Sequence, residues 1–587
     1  MKILAFAPFC GVYQHSVPES VLLKQLSVEN HVLYLTCNRS YQGGCVVMNA
    51  NGVHVRSEYD KKIRTCDLCE RTQVSVLRKN NFQPMYTEEY IEKYELAQID
   101  VLLNGLTAKN FKDFSFNGMP IGRYAYYLVA LTYKKGSFNV TPDEFLELKN
   151  SVYDCLKTYF IANRVLKKHK PDAVLIYNSF YPINRVFLEV TRQLAISPFY
   201  IHAGPNIRHR LSSLVLGRDH HYKIIQEQFK FWDVISKRTA PKAAFSLIYD
   251  HYCELLKAVN PFVYSSSPYE STNNVEYFSN INGRKVVLLT MSSFDERFSA
   301  EMIDILEKQK DLLFESQIQW VKETIELFKN KTDCYLIIRV HPREFPNKRD
   351  GVLSDHAKSL KEYLVDLPEN IVVNWPEDNI SLYALMEITD LCLNFSSTVG
   401  KELVFFGIPV ITYATNGLGY PTDLNYLVNS FNEYKRHIHY LLSQKTTLEK
   451  LILLFRWYAI EFYYSVLYLN KAFVSSSESP PNFSQRVYHK VMRTLDPVYI
   501  AKRHLKENYQ WEPTRFITDF FQSTHDSILP LRFERERNFS EDQEIALIIK
   551  VWRDVYSKCT FFKTTPKRAR ELIALFDEYE KSEVNSA

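Results

Sequence analysis

Two short runs of polar residues that could hold a phosphate stand directly after apolar segments of this sequence. His341 follows the apolar run Cys334–Val340, and an imidazole at the end of a strand can donate a hydrogen bond to a phosphate oxygen. Ser396, Ser397 and Thr398 follow another apolar run, at the beginning of a predicted helix, where free backbone N–H groups attract anions. Together the runs predict a phosphate site, whereas singly a loop histidine and an ordinary N-cap explain them as well.

Hydroxyl side chains also close the first strand predicted in this part of the chain. Thr290 and Ser292 lie there, within the run Thr290-Met291-Ser292-Ser293, and add donors for a phosphate. Glycine-rich phosphate loops are missing from the sequence. The chain has only 16 glycines among 587 residues and contains neither G-x-G-x-x-G after a strand nor G-x-x-x-x-G-K-[ST]. The sequence therefore disfavours a standard dinucleotide-binding or P-loop enzyme, and a nucleotide would need another kind of site.

The elements that carry these residues alternate between strand and helix in two separate parts of the chain. Strands are predicted at Lys2–Pro8, His31–Thr36, Ala173–Tyr177 and Pro198–His202 in the first part, and at Lys285–Thr290, Cys334–Val340, Ile371–Asn374, Leu391–Phe395 and Pro409–Tyr413 in the second. Such alternation indicates parallel sheets, and ligands of these folds bind beyond the carboxyl ends of the strands. We therefore predict an α/β protein with two tandem Rossmann-like domains and a helical C-terminal extension.

Domain boundaries follow changes in composition. A linker, 265–284, contains the runs Ser265-Ser266-Ser267-Pro268 and Ser271-Thr272-Asn273-Asn274. It separates a first domain, 1–264, from a second domain, 285–444, and the first domain ends with one long predicted helix over 224–259. Residues 445–587 form an extension that is predicted to be helical and aromatic, with no clear strand.

Charge and hydropathy restrict the partners and the compartment. Lys and Arg number 72 against 67 Asp and Glu, a net charge of +5, which does not fit a dedicated nucleic-acid-binding protein. The N-terminal apolar run fits a buried strand better than a signal peptide. The most apolar long stretch, Leu451–Leu469, contains Arg456 and Glu461, which disfavours a membrane-spanning helix. We therefore predict a cytoplasmic protein with reduced thiols.

Four cysteines near the N-terminus have the side chains that a structural zinc ion requires. Cys66 and Cys69 form a C-x-x-C pair, and Cys37 and Cys45 can complete a tetrahedral thiolate set. The spacing between Cys37 and Cys45 is not that of a standard zinc knuckle. Structural zinc and a group of buried, unliganded thiols are both open interpretations.

The order of motifs in the second domain resembles a known enzyme family. His341-Pro342 follows one strand, Ser396-Ser397-Thr398 follows another, and Glu402 and Gly407-Ile408-Pro409-Val410-Ile411 come after them. Residues 285–420 resemble the nucleotide-binding domain of GT-B glycosyltransferases. The resemblance is strongest to bacterial capsule and surface-polysaccharide enzymes with a His-Pro and a Ser-Ser/Thr motif, which include Kdo and sialic-acid transferases that use CMP-activated donors.

This resemblance implies transfer of a sugar from a nucleotide-sugar donor, with a CMP-activated acidic sugar first among the donors, to a glycan or lipid-linked glycan acceptor. It implies that His341 and Pro342 lie against the cytidine and its phosphate. It also implies that Ser396, Ser397 and Thr398 bind the phosphate and that Glu402 binds the ribose. The other residues of the implied nucleotide site are Thr290, Ser292 and Arg343. No Asp-x-Asp triplet follows a predicted strand of the second domain, which agrees with chemistry that needs no metal.

Three other functions fit the same motifs. A related His-Pro and Ser-rich pattern occurs in teichoic-acid glycerophosphotransferases that use CDP-glycerol, and an NDP-sugar transferase is a further enzymatic alternative. A non-catalytic polysaccharide-binding or assembly protein that kept the fold is the alternative from another class.

A glycosyl transfer also needs a base that takes the proton of the acceptor hydroxyl. By the same resemblance the base would come from a residue that faces the cleft between the domains. Five residues are candidates, and a structural polar role competes for each of them: His15, His202, Asp219, Asp295 and Glu296.

The segment from Arg486 to Arg515 combines positive charge with aromatic side chains. It contains seven Lys and Arg against three acids, with four interleaved aromatic residues, Tyr488, Tyr499, Tyr509 and Trp511. Such a face suits peripheral contact with the inner face of a membrane that carries a lipid-linked acceptor, and it also suits a solvated surface. The resemblance adds that GT-B chains often return a terminal helix to the first domain.

Overall fold

The computed structural model describes residues 1–41, 43–258, 263–269, 281, 283–308, 312–347, 351–414, 417–469, 483–506, 514–534 and 540–586. Within these residues the chain forms two β-sheets. The strands are β1 (Lys2–Phe6), β2 (His31–Thr36), β3 (Pro84–Tyr86), β4 (Ala173–Tyr177), β5 (Ser197–Ala203), β6 (Ser213–Arg218), β7 (Lys285–Thr290), β8 (Cys334–Arg339), β9 (Ile371–Asn374), β10 (Leu391–Asn394), β11 (Val410–Thr412), β12 (Tyr426–Leu427) and β13 (Val466–Tyr468).

The strand orders of the two sheets define two Rossmann-like domains. The first sheet has the order β13-β6-β5-β4-β1-β2-β3, in which β1 to β5 are parallel, β6 runs antiparallel to β5, and β13 runs antiparallel to β6. The second has the order β12-β11-β10-β7-β8-β9 and is parallel throughout. The chain adds successive strands on one side of β1 and of β7 and then continues on the other side, so the strand order reverses between β1 and β4 in one sheet and between β7 and β10 in the other. Ligands of such folds bind at these switch points. The predicted fold class is confirmed.

Helices cover the sheets and build the extension. The helices of the first domain are α1 (Tyr13–Leu26), α2 (Val46–Ala50), α3 (Tyr59–Asn80), α4 (Lys93–Asn104), α5 (Ile121–Thr132), α6 (Pro142–His169), α7 (Pro182–Gln193), α8 (His221–Ile235) and α9 (Lys242–Lys257). Those of the second are α10 (Phe294–Met302), α11 (Gln317–Phe328), α12 (Asp355–Tyr363), α13 (Leu382–Leu385), α14 (Val399–Glu402) and α15 (Phe431–Ser443). The extension contains α16 (Leu448–Tyr458), α17 (Phe483–Leu495), α18 (Tyr499–Lys506), α19 (Thr514–Gln522), α20 (Leu529–Phe533), α21 (Glu541–Tyr556) and α22 (Lys567–Ser586). No helix among the described residues is both long enough and apolar enough to cross a membrane.

Local sequence explains the elements that the prediction located well. Strands β4 and β8 are buried at every residue, as expected for parallel strands covered on both faces. Helix α6 begins at Pro142 because Thr141 and Glu144 form a capping box at its start. The Thr141 hydroxyl accepts a hydrogen bond from the Glu144 N–H at 3.3 Å, and the Glu144 carboxylate accepts one from the Thr141 N–H at 2.8 Å.

Three predictions about elements differ from the structure. The single long helix predicted over 224–259 is two helices, because Pro241 cannot continue a helix and stands at the N-cap of α9. Strand β6 was not predicted. Strand β13 lies in the extension, where no clear strand was predicted, and it pairs with β6 in the first sheet. The predicted linker run Ser271-Thr272-Asn273-Asn274 lies outside the described residues.

The extension packs on both domains. Besides the β13–β6 pairing, α18 and α19 lie against α1, so this part of the extension belongs to the first domain. Helix α21 packs on α9 of the first domain. Together with α22 it also contacts the second domain, where the Trp552 indole donates to the Phe405 carbonyl at 2.7 Å and Arg568 donates to the carbonyls of Asp390 and Leu441, each at 3.0 Å. The last part of the extension therefore contacts both domains.

Candidate functional site

The carboxyl ends of three neighbouring strands bring the predicted phosphate residues to one edge of the second sheet. Strand β7 lies between β8 and β10 and is hydrogen-bonded to both. Ser292 follows β7, His341 follows β8, and Ser396 follows β10. The sequence therefore places an imidazole and several hydroxyls around the β7–β10 switch point, where the fold itself favours a ligand.

A buried hydrogen-bond network holds the loop after β10. The Asn394 amide donates to the Ser397 carbonyl at 2.9 Å, the Tyr420 hydroxyl donates to Asn425 Oδ1 at 2.9 Å, and the Asn425 amide donates to the Gly400 carbonyl at 3.0 Å. Gly400 is required by close approach, because an added Cβ would lie 2.0 Å from the Tyr420 hydroxyl. The loop is therefore pre-formed by residues that the sequence analysis did not identify.

The hydroxyls of this edge differ in how far they are engaged. To the described residues, the hydroxyls of Ser292 and Ser396 make no hydrogen bond, so they are open to a ligand. Ser397 Oγ accepts a weak bond from the Val399 N–H at 3.4 Å, and Thr398 Oγ1 donates to Glu402 at 2.9 Å. Helix α14 has only four residues before a 3₁₀ turn, so the predicted helix-start effect is smaller than a long helix would give.

Glu402 is held inside the second domain. Its two carboxylate oxygens accept hydrogen bonds from Thr398 Oγ1 at 2.9 Å and from the Tyr383 hydroxyl at 3.3 Å. Burial raises the pKa of the Glu402 carboxyl above its ordinary value. The carboxylate thus positions Thr398, and the structure does not show it directed towards a ribose.

His341 has the tautomer of a hydrogen-bond donor. Its Nδ1 accepts a hydrogen bond from the Arg343 N–H at 3.2 Å, so the proton of the neutral ring is on Nε2. Burial, assisted by the charge of Arg343, lowers the pKa of His341 to about 4. The ring is therefore neutral at pH 7, and its Nε2–H is the group that can donate to a phosphate.

Arg343 and Asp295 form a buried ion pair. The buried Arg343 guanidinium donates to Asp295 Oδ1 at 3.1 Å and Oδ2 at 2.6 Å, and it also reaches the Tyr264 hydroxyl at 3.2 Å and the Leu131 carbonyl of the first domain at 3.1 Å. Asp295 accepts a further bond from Ser293 at 2.7 Å. Arg343 and Asp295 therefore help to join the two domains, and their predicted roles in nucleotide binding and proton transfer stay predictions.

The remaining candidates of the second domain have simpler surroundings. The buried Thr290 hydroxyl donates to Asn394 Oδ1 at 3.0 Å and so joins the hydrogen-bond network that holds the loop after β10. Glu296 is exposed and lies 3.4 Å from the Arg343 guanidinium. Pro342 begins the 3₁₀ turn that carries Arg343.

In the first domain, His15 and His202 come together around an aromatic residue. His15 lies in α1 just after β1, and its ring stacks on Tyr177 at the end of β4 with centroids 4.3 Å apart. The Tyr177 ring lies 5.6 Å from that of His202 at the end of β5. Burial, followed by the charge of Arg210, lowers the pKa of His15 to about 3 and that of His202 well below its ordinary value. Both predicted bases are neutral imidazoles at pH 7.

Several buried polar atoms in this part of the first domain have no hydrogen-bond partner among the described residues. They are His15 Nδ1, Glu19 Oε1, Ser179 Oγ and His221 Nδ1. Folded proteins leave few buried polar atoms unpaired, so such a concentration asks for an explanation. Each of these atoms has almost no accessible surface, so together they mark a buried polar region of the first domain.

Glu19 and His221 belong to this cluster and were missed as candidates. Glu19 lies one helical turn after His15, and burial raises the pKa of its carboxyl to about 8. Burial and the charge of Arg210 lower the pKa of His221 to about 4. The sequence did carry a signal for Glu19, because a lone carboxyl among Val17, Val21 and other apolar residues of α1 stands on a face that must be buried.

Asp219 lies away from this cluster. Strand β6 runs antiparallel to β5, so the residue after it returns to the start of β5, where the Asp219 N–H donates to the Pro198 carbonyl at 3.3 Å. Its carboxylate accepts a hydrogen bond from Arg192 at 3.1 Å. The structure therefore does not bring Asp219 to the carboxyl edge of the sheet.

The four early cysteines line one small cavity of about 30 Å³ between β2, α2 and α3. Cys37 and Cys69 accept hydrogen bonds from the N–H groups of Ser40 at 3.3 Å and Gly11 at 3.1 Å. Burial raises the pKa of Cys37 to about 11 and raises the pKa of Cys45, Cys66 and Cys69 as well, which favours neutral thiols. In the described part of the chain no three His, Cys, Asp or Glu side chains are arranged to hold a metal ion, so this geometry gives zinc no support.

No protein-family model and no curated protein matches this chain. Among solved structures it is similar to the KpsC β-Kdo 2,4-transferase of Thermosulfurimonas dismutans, with 13% identity over 55% of this chain and 87% of that chain and a TM-score of 0.31. It is also similar to the UDP-GlcNAc 2-epimerase of Methanocaldococcus jannaschii, with 14% identity over 76% and 94% of the chains and a TM-score of 0.27. TM-scores of this size carry no argument about function, so the fold rests on the strand orders.

Proposed function

We propose that this chain is a GT-B-type glycosyltransferase of bacterial surface-polysaccharide biosynthesis. The proposed donor is a CMP-activated acidic sugar such as Kdo or a sialic-acid-like sugar, and the proposed acceptor is a glycan or lipid-linked glycan. One observation carries the proposal: open hydroxyls and a neutral, donor-competent His341 surround the β7–β10 switch point of a Rossmann-like domain.

The donor side of the reaction needs groups that stabilise a departing phosphate. Negative charge develops on the phosphate as the bond to the anomeric carbon breaks, and fixed hydrogen-bond donors lower the barrier to that step. His341 Nε2–H and the Ser292 and Ser396 hydroxyls are such donors, and the network around Asn394 fixes the loop that carries Ser396. These groups stabilise the leaving phosphate by hydrogen bonding.

The acceptor side needs a base and a surface that fits a sugar. His15 and His202 supply unprotonated imidazoles that can take the proton of an attacking hydroxyl. An imidazole with so low a pKa is a weak base, so the proton that it takes from the acceptor hydroxyl is held only transiently and passes on to solvent. The buried polar atoms near His15 make this part of the first domain polar, and the proposal places the hydroxyl-bearing acceptor beside it.

Calorimetric titration with CMP, CDP, UDP and GDP tests the donor. We expect the wild-type protein to bind CMP most tightly, and we expect His341→Ala and Ser396→Ala to weaken binding by about tenfold or more, since each removes a donor worth about 1.5 kcal/mol or more to a charged group. Ser443→Ala is the matched control, because this serine is exposed on α15 and bonds only its own helix.

The other outcomes separate the alternatives. A preference for UDP or GDP would show that the donor is an NDP-sugar and not a CMP-sugar. Tight binding of CDP-glycerol with release of CMP would favour a glycerophosphotransferase. Binding of no nucleotide at all would leave a polysaccharide-assembly protein that kept the fold.

A further inference from the structure

The first domain contains a cavity of about 310 Å³ that lies between α2, α3, α5 and α6. We call it the α3–α5 cavity, because Lys62, Ile63 and Cys66 on one face of α3 and Leu128 and Thr132 of α5 line it. Its volume is at the lower end of the ~300–1,000 Å³ that is typical of small-molecule sites. No residue of the predicted nucleotide site or of the five predicted bases lines it. The cavity is therefore a separate candidate for a ligand.

Much of the cavity wall is aliphatic. Met48, Val53, Leu128 and Val129 border the cavity and are buried, and the half-buried Ile63 borders it as well. Transfer of an apolar group from water to such a surface is favourable. The wall therefore favours a ligand with an aliphatic body.

Most polar side chains of the wall are already bonded within the protein. The Asn49 amide donates to the Thr132 hydroxyl at 2.6 Å, and the Glu147 carboxylate accepts a hydrogen bond from the Tyr133 hydroxyl at 2.9 Å. The Asn150 amide also lines the cavity and makes no hydrogen bond to the described residues. A sugar needs a partner for each buried hydroxyl, and this wall offers few free groups. The wall therefore suits an aliphatic body better than a polyhydroxylated one.

Lys62 gives the cavity a positive charge that the protein does not match. Its ammonium donates to the Val55 carbonyl at 2.7 Å and forms no ion pair with a carboxylate of the described residues. The other two charges of the wall are met, since Arg39 pairs with two acids outside the wall and Glu147 lies 3.4 Å from His54 Nδ1. A half-buried ammonium is stabilised when an anion reaches it. The charge therefore favours a ligand that carries an anionic group.

Helix α5 connects the cavity with the joint between the domains. Thr132 borders the cavity, whereas the Leu131 carbonyl accepts a hydrogen bond from Arg343 of the second domain at 3.1 Å. Two residues further along, the Lys134 ammonium donates to the Phe345 carbonyl at 2.7 Å. A ligand in the cavity would therefore contact the helix that also holds the second domain.

We propose that the α3–α5 cavity binds an aliphatic carboxylate. Its chain lies against Met48, Val53, Leu128 and Val129, and its carboxylate pairs with the Lys62 ammonium. The proposal does not rest on the nucleotide-sugar reaction, because it depends only on the lining of this cavity.

Calorimetric titration of the full-length protein with decanoate and decan-1-ol tests the proposal. We expect one decanoate to bind per chain, and decan-1-ol, which has the chain without the charge, to bind about tenfold or more weakly. N-acetylneuraminate, a carboxylate on a polar body, should not displace decanoate.

Replacement of Lys62 by methionine removes the cation and keeps the length of the side chain. Lys62→Met should weaken decanoate binding by about tenfold or more and leave the binding of decan-1-ol unchanged. Lys61→Met is the matched control, because Lys61 is the exposed neighbour on α3, also donates to a backbone carbonyl, that of Gly52 at 2.7 Å, and does not line the cavity. This control should bind decanoate as the wild type does.

Alkylation of Cys66 locates the ligand without any variant. This half-buried thiol lines the cavity, whereas the half-buried Cys253 on α9 does not. Saturating decanoate should slow the reaction of Cys66 with N-ethylmaleimide and leave that of Cys253 unchanged, as measured by peptide mass spectrometry.

Three results would overturn the proposal: no binding of decanoate to the wild type, equal binding by Lys62→Met and Lys61→Met, or binding that leaves Cys66 unprotected. Protection of Cys66 by N-acetylneuraminate would overturn the aliphatic assignment and give the cavity to an acidic sugar. CMP titration of the same proteins tests the nucleotide site separately, and its failure would leave the decanoate result standing.

Discussion

The pKa of the buried Glu19 carboxyl makes the stability of the folded protein depend on pH. It lies in the interior beside the His15 cluster, with one oxygen unpaired among the described residues, and burial raises the pKa of the carboxyl to about 8. The folded protein therefore holds a proton that the unfolded chain releases near the ordinary carboxyl pKa. Between about pH 4.5 and 8 the carboxyl ionises in the unfolded chain but stays protonated in the folded protein. The free energy of unfolding therefore falls as the pH rises through this range, because ionisation stabilises only the unfolded state.

Replacement of Glu19 by glutamine should remove this dependence. Glutamine has the shape of the protonated acid, so Glu19→Gln should match the wild type near pH 4 and exceed its stability by on the order of 2–4 kcal/mol at pH 8. Denaturant unfolding at several pH values measures the difference. Glu369→Gln, at an exposed carboxyl, is the control and should follow the wild-type curve. Parallel curves for Glu19→Gln and wild type would show that Glu19 is ionised in the folded state.

At the scale of elements, the loop between β10 and α14 decides where the Ser396 hydroxyl lies. Its backbone is held by Asn394, Tyr420 and Asn425, and Gly400 leaves the space in which the Tyr420 hydroxyl sits. The loop therefore acts as a rigid support for the nucleotide site rather than as a chain that folds around the ligand.

Gly400→Ala should disrupt this support. The added methyl group would overlap the Tyr420 hydroxyl and the Asn394 amide, so we expect a loss of about 1–3 kcal/mol in stability and CMP binding weakened by about tenfold. Gly351→Ala is the control, since a Cβ at Gly351 meets no atom within 4 Å. Denaturant unfolding and calorimetry on both variants measure the two effects. An unchanged CMP affinity in Gly400→Ala would show that the loop does not contribute to nucleotide binding.

The sequence located elements whose signals are local. His341 and Ser396 were found because they directly follow apolar strands, whose signal is carried by a few consecutive residues. The Arg343–Asp295 pair was not found, since it joins the start of α10 to a 3₁₀ turn 48 residues further along, and only packing brings the two together. Strand β13 was not found either, because three residues among aromatic neighbours have no periodicity of their own and the partner strand is distant in the chain.

At the scale of the whole molecule, a buried ion pair joins three separate parts of the chain. Arg456 of α16 donates to Glu544 of α21 at 2.6 Å and to the Ser236 carbonyl after α8 at 2.7 Å. Glu544 has no exposed side-chain surface and also accepts a bond from the Ala240 N–H at 2.7 Å. The end of the first domain and both halves of the extension thus share one polar centre.

Arg456→Ala should destabilise the whole molecule. It leaves the Glu544 carboxylate buried without its cation, at a cost of about 3–5 kcal/mol. The double variant Arg456→Met/Glu544→Leu should recover most of the loss, because neither charge then remains. Thermal unfolding measures both, and we expect a single transition that shifts as a unit. A wild-type-like transition in Arg456→Ala would contradict the assigned role of the pair.

The pairing of β13 with β6 has a consequence for synthesis of the protein. Until Val466 has left the ribosome, the far edge of β6 has no partner strand, although the rest of the first sheet is complete by Arg218. About 250 residues separate these points, which at ~5–20 residues per second corresponds to roughly 12–50 s of translation. Throughout that time the nascent first domain presents an open strand edge, a known template for aggregation. Folding of this protein in the cell should therefore depend on chaperones that bind such edges while the second domain is being made.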